Sequence, residues 1–78
     1  MSQSLDQIVQ DSLSKCIIFE SSGKESYYDC LYGVQFAAQA IQQGKLKKDV
    51  DLLCSIVPSP NNSYLSGCES VTTAYFKQ

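Results

Sequence analysis

The chain of 78 residues has no histidine, no tryptophan and no arginine. Without histidine it lacks the commonest general base and the commonest metal ligand. Its many serines therefore have no imidazole to activate them. Without arginine, its cations are six lysines set against eight carboxylates, for a net charge of −2. Nucleic acid is excluded as an expected partner, because affinity for it rests largely on cationic contacts to phosphate. No apolar run approaches the length of a membrane span. The opening "MSQSLDQIVQ" has neither the basic start nor the apolar stretch of an export signal. Any such signal is expected to lie outside this chain. The cysteines form no Cys-x-x-Cys pair, which removes both the thioredoxin-type redox motif and the short knuckle that usually builds a zinc site.

What remains is a small globular composition, 44% hydrophobic and 18% charged. One domain over residues 1–78 is expected. A core of this size rarely supplies more than about 3–5 kcal/mol of net stability, so staples are called for. Four cysteines in so short a chain point to disulfides and an oxidising compartment: exported, periplasmic or extracellular. A cytoplasmic protein with reduced thiols is the alternative.

Helical periodicity dominates, and nothing alternates with period two. A first helix is expected from Ser4, which has capping-box spacing to Gln7. Leu5, Ile8, Val9, Leu13, Cys16 and Ile17 form its stripe, and it closes at Gly23. A second, the longest, runs from a capping box at Ser22 and Glu25 to Gly44. Tyr27, Cys30, Leu31, Val34, Ala37, Ala38 and Ile41 lie on its core face. A third places Leu46, Val50, Leu53, Cys54 and Val57 together and is ended by Pro58 and Pro60. The fourth follows "PSPNNS", with Ser63 as its expected cap and Cys68, Val71, Thr72 and Tyr75 in helical register. Its β-branched run weakens the helix and makes a short strand the alternative.

The cysteine spacing gives the architecture. "CIIFESSGKESYYDC" and "CSIVPSPNNSYLSGC" each hold thirteen residues between two thiols. A turn centred on Gly23 sets Cys16 opposite Cys30, and one centred at residue 61 sets Cys54 opposite Cys68. The expected fold is all-α: four short helices as two antiparallel hairpins, each closed by a disulfide. Loops of this length imply roughly 3 kcal/mol of stabilisation per bridge if the effect is chain entropy. A shift of 38 residues aligns both cysteine pairs, Asp11 with Asp49, Ile18 with Ile56, and Ser21 with Ser59, a faint internal repeat. A nested pairing, Cys16 with Cys68 and Cys30 with Cys54, stays open. In cysteine layout alone it resembles the twin-cysteine helical-hairpin proteins of the mitochondrial intermembrane space, although the spacing here is longer and two prolines interrupt the second window.

Tyr28, Tyr32 and Phe36 form a second stripe on the long helix, opposite its core face and mixed with Gln35, Gln39 and Gln43. A helix apolar on two sides is either central in its bundle or turns one side to a partner, and tyrosines among amides suit an interface. Gly33, Ala37 and Ala40 read as packing. Lys45, Lys47 and Lys48 read as a solvated turn. Asn61-Asn62-Ser63 fits a glycosylation acceptor. The carboxylates are scattered, and the chain is too small to enclose much of a substrate pocket.

The functional expectation is a non-catalytic protein-binding module: a small inhibitor, immunity-type or adaptor protein of an exported or periplasmic system. It would use no cofactor and bind another protein through Tyr28, Tyr32 and Phe36, with a homodimer as a further expectation. The alternative is an assembly subunit of a membrane-associated complex. A ligand carrier using space between the second and fourth helices is a third reading.

Overall fold

The computed structural model describes residues 3–56 and 61–78. Four α-helices are present: α1 (Leu5–Lys15), α2 (Lys24–Gln42), α3 (Lys47–Ser55) and α4 (Asn62–Lys77), with a 3-10 segment, Cys16–Ser22, between α1 and α2. No strand occurs among the described residues. The β-branched run of α4 stays helical because Val71 and Thr72 are buried and Thr72 donates its hydroxyl to the Cys68 carbonyl at 2.8 Å. Tertiary packing overrides weak propensity here.

Helix ends match the sequence in two places and depart from it in three. Ser4 caps α1, its hydroxyl accepting from the Gln7 amide at 3.1 Å. Gly44, with φ +84°, ends α2. Its amide donates to Ile41 and that of Lys45 to Ala40, the paired bonds of a Schellman motif. By contrast, the first helix does not run evenly to Gly23. At Cys16 it tightens to the 3-10 form, where residues three apart eclipse. Cys16 and Phe19 turn inward, and Ile17 and Ile18 turn out to solvent. Ile17 therefore leaves the core stripe the sequence assigned it. The Ser22–Glu25 capping box also fails to form. Ser22 belongs to the 3-10 segment, and Gly23 precedes α2 with φ +115° and no side-chain cap. That backbone conformation is open in practice only to glycine. Lastly, Asn61 caps α4 in place of Ser63. The Asn61 side-chain oxygen accepts from the Tyr64 amide and the Ser63 hydroxyl, both at 2.8 Å.

The chain makes two antiparallel hairpins. Cys16–Cys30 joins the 3-10 segment to α2, with Cα atoms 5.6 Å apart. Cys54–Cys68 joins α3 to α4, with Cα atoms 6.3 Å apart. The local pairing is thus the one that forms, and no described cysteine is free. The hairpins dock through α2 and α4, the most extensive contact in the fold. Two glycines permit it. A Cβ on Gly33 would overlap the Tyr64 carbonyl, and one on Gly67 would overlap the Cys30 carbonyl. Small residues here let two backbones touch, and the disulfide half-cystines Cys30 and Cys68 sit at the same crossing. Ile8, Val34, Val50 and Val71 fill the core around them, all but inaccessible to solvent.

α3 is the shortest of these α-helices. Val50, Leu53 and Cys54 face inward, while Leu52 and Ile56 are 59% and 62% exposed. Leu46, expected on the core face, is exposed at the position preceding the helix. Val57, Pro58, Ser59 and Pro60, to which the sequence assigned the end of this helix and one match of the repeat, lie outside the described residues.

Candidate functional site

α2 is long enough to present two faces. Cys30, Val34, Ala37 and Ile41 turn to the core at helical spacing. Tyr28, Tyr32 and Phe36, each four residues on from the last, run along another side. The structure leaves Tyr28 53% and Tyr32 68% exposed. Phe36 is half-buried, its ring tilted against that of Tyr64 with centroids 6.3 Å apart. So the stripe divides: two rings in solvent and a third seated against α4.

Beside this stripe lies an open depression of about 430 Å³, lined by Asp29, Tyr32, Gln35, Phe36, Gln39 and Tyr64. Five of these come from α2 and one from the first turn of α4, so the α2–α4 crossing fixes the shape of the depression. Asn61 braces Asp29 from α4: its side-chain nitrogen donates to Asp29 Oδ2 at 2.5 Å while its oxygen caps α4. Among the described residues Asp29 is the only charged one in the lining. Its second carboxylate oxygen makes no hydrogen bond among the described residues. Burial raises the Tyr64 phenol above its ordinary range. It too has no hydrogen-bond partner among the described residues. Tyr28 stands a turn outside the depression and packs beside Tyr27, centroids 5.8 Å apart.

The other sequence candidates resolve as follows. Gly33, Ala37 and Ala40 are buried and serve packing. Lys47 forms an exposed i,i+4 ion pair with Asp51 at 2.9 Å, and Lys45 and Lys48 are solvated. In Asn61-Asn62-Ser63, the amide nitrogen a glycan would occupy already donates to Asp29. At Gly33 and Gly67, α2 and α4 meet backbone to backbone, so any space between these helices lies away from that point. Among the described residues, no three carboxylates or cysteines converge as metal ligands.

Asp29, Asn61 and Tyr64 were not visible as site residues in the sequence. Asp29 read as one of several scattered acids, Asn61 as a glycosylation acceptor in a loop, and Tyr64 or Leu65 as the first position of the fourth helix's stripe. They meet only because α2 crosses α4, a contact between residues 32 positions apart. Compared with known proteins, the chain matches no protein-family model, no curated protein and no solved structure. Geometry and chemistry alone carry the functional reading.

Proposed function

We propose that this protein is a non-catalytic protein-binding module, an inhibitor, immunity-type protein or adaptor, acting in an oxidising, exported or periplasmic setting. Its two disulfides are consistent with such a compartment. No helix among the described residues is long and apolar enough to cross a membrane. The observation that carries the reading is the exposure of Tyr28 and Tyr32 one helical turn apart, beside a depression floored by Phe36 and Tyr64. Large rings with polar tips supply contact area at little conformational cost and recur as interface anchors. Neither exposed ring fills a gap in this fold.

Partner capture from native extract on the immobilised chain, compared with Tyr32→Ala, tests this. Loss of the captured protein with the melting temperature nearly unchanged supports a docking surface. Unchanged capture, or a melting temperature lowered by many degrees, contradicts it.

A second reading, an assembly subunit, draws on different residues. Leu52 and Ile56 share the outer side of α3, and Leu46, Ile17 and Ile18 are exposed as well. A polydisperse or poorly soluble isolated chain favours this reading. A clean monomer or homodimer favours the binding module.

A further inference from the structure

We infer that the partner's docking segment places an arginine or lysine side chain over Tyr32 and against Asp29. This rests on the binding-module reading and names the chemistry of what that surface takes. Among the described residues Asp29 is the single charge in a depression otherwise made of three aromatic rings and two amides. One carboxylate oxygen is engaged by Asn61 and the other has no partner among the described residues, so the acid is fixed in place with an acceptor to spare. An aliphatic stem with a cationic head suits such a site, since the stem lies on ring surface while the head meets both a carboxylate and a π face.

The protein's own charges do not answer Asp29. α2 carries one cation, Lys24 at its first residue, and two acids, Glu25 and Asp29. Glu25 stands one turn before Asp29, and Lys24 is not among the residues of the depression. The first turn of α4, which forms the opposite wall, has no charged residue. The chain has no arginine and a net charge of −2. A basic partner segment is therefore complementary to this surface, and an acidic one is repelled by it.

Titration of the isotope-labelled full chain with two probes, followed by amide NMR, tests the inference. The probes are a blocked leucine–arginine–leucine tripeptide and its citrulline counterpart, which keeps the shape and loses the charge. The arginine peptide should move the Asp29, Tyr32 and Tyr64 signals and bind about fivefold more tightly than the citrulline peptide, the size expected of a half-exposed charge pair with a cation–π contact. Asp29→Asn keeps an acceptor for Asn61 and should shrink that difference to what the Tyr32 ring alone supplies, under about twofold. Two results would overturn the cationic partner: equal binding of both peptides in the depression, which leaves the docking surface standing, or an arginine preference undiminished by Asp29→Asn. Absence of any shift at Tyr28, Tyr32 and Phe36 with either peptide counts against the surface itself.

Discussion

α2 and α4 meet backbone to backbone, whereas α3 touches the rest of the molecule along one narrow side. At the α2–α4 crossing the contact is made by atoms every residue has, and its requirement is the absence of two side chains, at Gly33 and Gly67. α3 offers Val50, Leu53 and Cys54 to the core over nine residues and leaves Leu52 and Ile56 outside. A helix that short is marginal without support. The difference shows two ways for a small chain to hold its helices: close steric fit where the packing is dense, and a covalent tie where it is thin.

The largest effect is expected from breaking the crossing. Gly67→Val or Gly33→Val drives a branched side chain into a neighbouring carbonyl on a rigid helix. A cost of at least about 3 kcal/mol follows, at the upper end for overpacking. Chemical denaturation of the oxidised protein measures it, and a change under about 1 kcal/mol would show the helices are free to part.

Next come the disulfides, which close windows of equal length, a separation of 14 in both. Chain entropy alone gives each about 3 kcal/mol. The contrast lies in what else holds the tied element. Beyond Cys16–Cys30, α1 and the 3-10 segment keep Ile8, Leu13 and Phe19 against the core, and Ser70 donates to Ser12 at 3.1 Å. Beyond Cys54–Cys68, α3 has Val50 and Leu53 against the core. Cys54→Ala with Cys68→Ala should strip hydrogen-exchange protection from α3 while α2 and α4 stay protected. Cys16→Ala with Cys30→Ala should lower stability without selectively releasing α1. Equal local loss in both variants would remove the distinction. The smallest effect on stability belongs to Tyr32→Ala, whose ring is mostly in solvent.

Much of this architecture was legible in the residues. Helical stripes marked the elements, and the equal cysteine windows indicated both hairpins because a turn places flanking positions opposite each other. Gly44 and Ser4 act where the sequence put them. The change to 3-10 geometry at Cys16 was hidden, since the α and 3-10 forms share their apolar residues and differ in which of them turn outward. The role of Gly67 was hidden as well: a glycine beside a cysteine inside a helix carries no sign of which backbone will approach it. For the surface, periodicity separated Tyr28 and Tyr32 from the core face. It could not supply Asp29, Asn61 and Tyr64, which become neighbours through a crossing between the two hairpins. Asn61 shows why local reading fails there. The same amide group caps α4 and holds Asp29 of α2, and only the first of these is a short-range relation.

Two covalently closed hairpins are held together by packing at one crossing. A single proteolytic cut in the exposed turn between Gly44 and Lys48, followed by mass analysis of the oxidised protein, probes this arrangement directly. The cut protein should remain one particle under native conditions and give two separate masses in denaturant with no reductant present. Halves that stay covalently joined in denaturant, or that drift apart while still folded, would rule the arrangement out.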